Sequence, residues 1–230
     1  MRVIAGTARS LPLKTPEGMD TRPTTDRIKE TLFNMLQTRI GGSVFVDMFS
    51  GSGGIGIEAI SRGANKAYFI EFDKKALACI KDNLNFTKFN DKAMVINSDA
   101  CSAIDRITDE ADIIFMDPPY ESGLDVAALR ILKNAKCVTE DTLIIVEASV
   151  DRDVEEFTSC GFVLSKEKKY QEGTYGALSL AKFGRKTLLI VDFNKCPKYV
   201  DCYSKDVPIR MGYEIEYCPQ CGEKLNKEEE

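Results

Sequence analysis

Histidine is absent from all 230 residues. That excludes a Ser-His-Asp or Cys-His nucleophile system, a histidine general base and every histidine-ligated metal site. Also missing is any run near the roughly 18 consecutive apolar residues that a membrane span requires, so a transmembrane protein is excluded. The N-terminal MRVIAGTARSLPLK lacks the continuous apolar segment of a secretory signal, and the expectation is a cytoplasmic chain whose eight cysteines stay reduced. Positive charge is not in excess either: 31 Lys and Arg face 36 Asp and Glu, for a net −5, which argues against a uniformly basic nucleic-acid-binding surface. With 43% hydrophobic and 29% charged residues, what is present suits one large domain and a small appendage.

The charge is unevenly spread. Residues 1–42 hold seven Lys and Arg against four Asp and Glu, so this segment is +3 and the remainder −8. It contains Gly6, Pro12, Pro16, Gly18 and Pro23 and then a helical pattern over 25–38 with Ile28, Leu32, Met35 and Leu36 on one face. An irregular basic arm leading into a capping helix is expected. From residue 43, short β-rich runs at 44–49, 67–71, 93–97, 111–116 and 142–147 alternate with helical stretches at 54–62, 74–86, 101–107, 124–134 and 152–159. Two more strands, 162–168 and 175–182, follow with only a short loop between them. That rhythm predicts an α/β fold, a doubly wound, mostly parallel seven-stranded sheet closed by an antiparallel hairpin. Three divisions are expected: 1–42 as arm and helix, 43–184 as core, and 185–230 as a small cysteine-bearing module.

The first strand runs into Asp47-Met-Phe-Ser-Gly51-Ser-Gly53-Gly54-Ile-Gly56, which opens a helix. Glycines let a ligand approach the backbone closely, and the amides at a helix start are donors for it. The pattern also fits a nicotinamide dinucleotide fold. Glu71, at the end of the second strand, can accept from both hydroxyls of an adenosine ribose, and Asp99, just past the third, can meet an adenine amine. Asp117-Pro118-Pro119-Tyr120 follows the fourth strand. An exocyclic amine on a nucleobase is a poor nucleophile because its lone pair is delocalised into the ring. A carboxylate and a carbonyl that accept its two N–H bonds favour pyramidalisation and free the lone pair for attack. Asp117 and the carbonyl of Pro118 suit those roles, the prolines stiffen the loop, and Tyr120 offers a face to a base taken out of its stack.

These motifs resemble the class I S-adenosylmethionine-dependent methyltransferases of the amino-methylating branch. Within that branch, Arg2-Val-Ile-Ala-Gly6, the run from Arg22-Pro-Thr-Thr-Asp-Arg27 to Asn34 and the run from Gly56 to Ala64 resemble the RsmD family, the 16S rRNA guanine-N2 methyltransferases. The resemblance spans roughly residues 1–183. Ser10 departs from it, standing where the family has the glycine of an Arg-Gly pair. The resemblance implies a Rossmann-like fold with the cofactor over Asp47, Phe49, Ser50, Gly51 and Gly53, its ribose on Glu71 and its adenine near Phe72, Asp73, Asp99 and Ala100. It implies catalysis by Asp117, Pro118, Pro119 and Tyr120, and RNA contacts from Arg2, Arg9, Arg22, Pro23, Thr24 and Arg27. The implied partner is 16S rRNA within a small-subunit assembly particle, met by a monomer with no membrane association.

The remaining motif is a cysteine set. Cys196-x5-Cys202 and Cys218-Pro-Gln-Cys221-Gly222 look like a zinc ribbon with four thiolates on one Zn²⁺, the second pair carrying the specific knuckle spacing and the first a longer one. A module of this size lacks an adequate apolar core of its own, which is a physical reason for a metal. Cys79, Cys101, Cys137 and Cys160 are expected to pack singly in the core. Two other functions use the same motifs. A DNA adenine-N6 methyltransferase can use the Asp-Pro-Pro-Tyr loop, although no large DNA-recognition insertion is apparent. A catalytically idle RNA- or zinc-binding adaptor would keep the fold but has no need of an amine-orienting carboxylate.

Overall fold

The computed structural model of the protein describes residues 1–16, 26–119, 122–148, 156–157, 160, 162–168, 177–183 and 187–189. Its strands are β1 (Val44–Asp47), β2 (Lys66–Glu71), β3 (Ala93–Asn97), β4 (Ala111–Met116), β5 (Val138–Ala148), β6 (Phe162–Lys168), β7 (Ala177–Phe183) and β8 (Thr187–Leu189). The helices are α1 (Asp26–Met35), α2 (Gly54–Ser61), α3 (Lys74–Thr87), α4 (Ala100–Ala103) and α5 (Leu124–Leu132). All described residues fall within one compact unit, Met1–Asp192. The expected helix at 152–159 and the four cysteines of the C-terminal motif lie wholly or mostly outside the described residues.

The sheet order is β3-β2-β1-β4-β5-β7-β6-β8. The first five strands are parallel, with registers such as Val46↔Tyr68 and Ile114↔Ile144, and β7 then runs antiparallel to both β5 and β6. This is the doubly wound order with its reversal between β1 and β4, the crevice where α/β sheets bind ligands. Several bounds depart from expectation. β1 stops at Asp47 rather than 49, because the chain turns into the glycine loop there, β5 begins at Val138 rather than 142, α1 ends at Met35 rather than 38, and among the described residues the sheet has eight strands rather than seven. The extra strand, β8, pairs with β6 and β7. Three residues are too few to reveal a period of two, and so this stretch reads in the sequence as the start of the next module.

Strand alternation divides the core into two layers. Val46, Tyr68, Ile96, Ile114, Ile144 and Val146 join Ala103 of α4 and Leu129 and Leu132 of α5 in one buried cluster. On the other face, Phe33 of α1 stacks on Phe45 at 6.2 Å, and the Phe69 ring lies against the backbone of α2 at Gly56. Cys137 and Cys160 are buried and Cys79 and Cys101 half-buried, all four as free thiols. No described helix is long and apolar enough to cross a membrane.

The N-terminal arm is more regular than its glycines and prolines suggest. It folds back on itself, with the Val3 amide donating to Leu11 O at 3.0 Å, Ser10 to Val3 O at 2.8 Å and Leu13 to Met1 O at 3.0 Å. Ser10 takes φ 69°, a left-handed conformation in which glycine carries no Cβ penalty, which gives the family's glycine at this position a physical reason. The arm is fastened to α2. Glu58 accepts from the amides of Ile4 at 2.7 Å and Ala5 at 2.9 Å, and Ser61 Oγ donates to Ala5 O at 2.6 Å and accepts from the Ala8 amide at 3.0 Å. Lys29 from α1 reaches the same Glu58 at 3.2 Å, and both side chains are fully buried. On the far side, Asn83 of α3 bonds the Lys14 amide and carbonyl and the carbonyl of Ser52.

Candidate active site

Four acids end four strands: Asp47 on β1, Glu71 on β2, Asp117 just past β4 and Glu147 near the end of β5. Each follows two apolar residues that anchor the strand, so the carboxylates gather along one edge of the sheet. The glycine loop is braced from below. The Ser50 amide donates to Ile70 O at 3.0 Å, Ser50 Oγ to Asp47 O at 2.8 Å, and the Gly51 amide to Glu71 Oε2 at 2.8 Å. Gly51 and Gly53 take φ 52° and 82°, and Gly53 caps α2, so the turn from strand to helix is made where a side chain would be strained. Phe49 is half-buried against the core beside the loop.

Glu71 has a second task. Its Oε1 accepts the amides of Phe72 at 2.8 Å and Asp73 at 2.9 Å, which holds the carboxylate rigidly at the crevice. Phe72 is 71% exposed, an aromatic face open to a ligand. Asp73 Oδ1 caps α3, accepting from Lys75 and Ala76, and Asp99 Oδ1 caps α4, accepting from Ser102 at 2.9 Å. The Ser102 hydrogen bonds hold the Asp99 carboxyl below the usual carboxylate range. Both acids therefore serve the fold at the place where the sequence assigns them to adenine. Ala100 is buried at the start of α4.

Asp47 is 1% exposed. Its Oδ2 accepts from the Gly56 amide at 3.1 Å, whereas Oδ1 is buried with no hydrogen-bond partner among the described residues. Burial pushes its carboxyl up to about 7 against the pull of the Gly56 bond, and the neighbouring Asp117 and Glu71 add to the rise. Asp117 keeps some exposed surface as a residue, yet the burial of its carboxyl raises it to about 6. Pro118 is buried and Pro119 exposed. Ser122 closes the loop by donating to Pro119 O at 2.6 Å. Tyr120 lies outside the described residues, as do Arg22, Pro23 and Thr24.

Of the remaining arm cations, Arg2 forms an exposed ion pair with Asp26 at 2.9 Å, and Arg9 is exposed. Arg27 lies in α1. Three residues escape the sequence reading. Glu58 and Asn83 look like ordinary polar positions on helices, and only their burial marks them as fasteners. Glu147 is different, because an acid ending an apolar strand repeats the pattern of Asp47 and Glu71 and could have been found from it. Among the described residues no group of three or more Cys, Asp or Glu could hold a metal ion.

The likeness to known proteins covers both core and arm. The family described as Conserved hypothetical protein 95 matches residues 1–178. Ribosomal RNA small subunit methyltransferase D of Haemophilus influenzae is 38% identical over 173 residues, 73% of this chain and 88% of that protein. YlbH of Bacillus subtilis is 35% identical over 189 residues, 81% of this chain and the whole of that protein. Among solved structures, yhhF of Escherichia coli is 33% identical with a TM-score of 0.69, covering 80% of this chain and 97% of that one. With the family matched across the arm, the glycine loop and the Asp-Pro-Pro loop together, this chain belongs to the family described as Conserved hypothetical protein 95, the RsmD family.

Proposed function

We propose that the chain is an rRNA small-subunit methyltransferase that transfers a methyl group from S-adenosylmethionine to the exocyclic N2 amine of a guanine in 16S rRNA. The observation that carries this reading is the Asp117-Pro118-Pro119 loop at the end of β4, beside the glycine loop that ends β1. Relatives named ribosomal RNA small subunit methyltransferase D support rRNA as the substrate class.

The residues present fit the cofactor. It carries an ammonium group and a sulfonium, and Asp47 Oδ1 is a buried acceptor that lacks a partner among the described residues. Glu71 would take the ribose and the exposed ring of Phe72 the adenine. When bound, the cofactor supplies an electrophilic methyl group. The chain's own part is to orient the amine: Asp117 and the Pro118 carbonyl accept its two N–H bonds, so that its lone pair faces the methyl carbon. Once N2 is methylated, water or Asp117 would take the proton that it gives up. Most of the acceleration comes from holding the two reactants in line. Arg2, Arg9, Arg22 and Arg27 would meet the RNA backbone, where cations position without reading sequence.

The test is product identity. Protein incubated with labelled S-adenosylmethionine and 16S rRNA, assembled or partly assembled small subunits, or DNA should yield N2-methylguanine in the RNA. N6-methyladenine in DNA with no N2-methylguanine would replace this reading with the DNA one. For the C-terminal module, Cys196, Cys202, Cys218 and Cys221 supply the four-thiol donor set that zinc selects, and about one zinc per chain is expected.

A further inference from the structure

Glu147 has no role in the reaction as written, yet its placement is unusual. It is 7% exposed, and its Oε2 is buried without a hydrogen-bond partner among the described residues. β4 and β5 are parallel with Met116 opposite Val146, so the next residues along, Asp117 and Glu147, are neighbours across the pair. Met116 and Val146 share one face with the α4 and α5 layer, which sends both acids to the opposite face. Asp47 on β1 points to that face as well, one strand further over, since Val46 belongs to the same cluster as Met116.

Two buried carboxylates side by side cannot both ionise cheaply, so one of them keeps a proton. Among the described residues, the other groups near the pair do not relieve this. Asp47 and Glu71 are acids, Lys29 of α1 is bound to Glu58 and to the Arg2 carbonyl, and the β7 residues paired with this end of β5, Ala177 to Leu180, contain no titratable side chain. Burial first, and then the charge of Asp117, push the Glu147 carboxyl well above the usual range. Asp117 lies past the end of its strand and keeps some exposed surface, whereas Glu147 sits buried within its own, so the proton rests on Glu147.

We infer that Glu147 is a positioning residue for the reaction, a neutral acid whose O–H is donated to the Asp117 carboxylate. The donated bond keeps Asp117 ionised and turns its remaining lone pairs toward the substrate amine. Glu147 itself stays in the strand and touches no substrate. Its proton is not consumed, because the one released from N2 leaves separately. The idea rests on the role proposed for Asp117, and its test is therefore split so that the two can fail apart.

The first measurement needs no substrate. Carbon-13 NMR of the side-chain carboxyls in the free protein, assigned with Glu147→Gln and Asp117→Asn, should find Glu147 protonated at pH 7 and Asp117 ionised. Glu147→Gln keeps an N–H donor, and Asp117 should titrate there within a few tenths of a pH unit of its position in the parent protein. Glu147→Ala removes the donor, and Asp117 should titrate higher. The second measurement is the pH profile of methyl transfer. Glu147→Ala should lower kcat at least tenfold at pH 7, with the acid limb moved up and the KM for S-adenosylmethionine within about twofold; displacement of a reacting group by about 1 Å can cost 10²-fold. Glu147→Gln should recover most of kcat. Glu147 titrating near 4.5, or Asp117 unmoved in Glu147→Ala, overturns the inference. So does a Gln variant as impaired as the Ala variant while equally stable. A parent protein inactive on every RNA tested would defeat the proposed function and leave the NMR result standing.

Discussion

Replacing Glu58 with alanine is the sharpest structural test of the arm. Glu58 receives four donors: the Ile4 and Ala5 amides, Arg62 Nε at 2.8 Å and Lys29 Nζ at 3.2 Å. Lys29 is fully buried, and its amine is already held below the usual range, because burial outweighs the pull of Glu58. Removing the carboxylate leaves that ammonium uncompensated, which costs about 3–5 kcal/mol, and two amides without acceptors add about 1–3 kcal/mol each. The arm's own apolar anchors are Val3, Ala8 and Leu13, all at most 5% exposed; full burial of a valine or leucine contributes about 1.5–3 kcal/mol. The penalty thus exceeds what the apolar anchors supply. The expected outcome is release of residues 1–14, so that water reaches Lys29, with a net loss of roughly 3–5 kcal/mol set by the anchors and the residual cost at Lys29. Hydrogen exchange is the direct assay: the Val3, Ser10 and Leu13 amides should lose protection while those of β1 and β4 keep theirs. Urea unfolding should report the stability loss, and Glu58→Gln, which retains an acceptor, should lose less. Because the Met1 sulfur lies against Gly54 and Ser52, cofactor affinity should also weaken in Glu58→Ala. A loss below about 1 kcal/mol with the arm amides still protected would refute the account.

Further outcomes follow from the site and its supports. Gly6→Ala should release the arm by another route, since φ is +85° and an added Cβ would fall 1.8 Å from Ser61 O; exchange of the same amides checks it. Asp117→Ala should abolish methyl transfer with cofactor binding retained, as calorimetry and the transfer assay together would establish; an unimpaired rate removes Asp117 from its role. For Asp47, a folded value near 7 against 3.8 means that its protonated form favours folding. Stability from this group is full below about pH 4 and is lost as the pH rises through about 7, a difference on the order of 4 kcal/mol. Asp47→Asn should accordingly raise the melting temperature more at pH 8 than at pH 4 and weaken cofactor binding; an equal effect at both values would mean that Asp47 is not held neutral by burial. Cys218→Ser should lower the zinc content below that of the parent protein, measured by metal analysis without chelators; parent protein that contains no zinc would end the zinc reading.

How legible the molecule was depended on the kind of signal. Alternating apolar runs placed β3, β4 and β6 at their observed ends and located α3 to within a residue, because periodicity is a local property of the chain. β8 was illegible because three residues carry no period. The arm read as irregular because its order comes from bonds to Glu58, Ser61 and Asn83, more than 50 positions away in sequence.

The absence of histidine, the strand-end acids and the Asp-Pro-Pro-Tyr run by themselves pointed to the proposed chemistry of a carboxylate and an amine, since residue type decides which protons can be accepted. The sheet order decided the rest. Only when β1, β4 and β5 lie side by side do Asp47, Asp117 and Glu147 come under one buried roof, where loss of water raises their proton affinities. The same folding converts Asp73 and Asp99 from free acids into helix caps and turns a basic tail into a fastened strap. Burial and long-range pairing are properties of the assembled chain, and no count of its residues contains them.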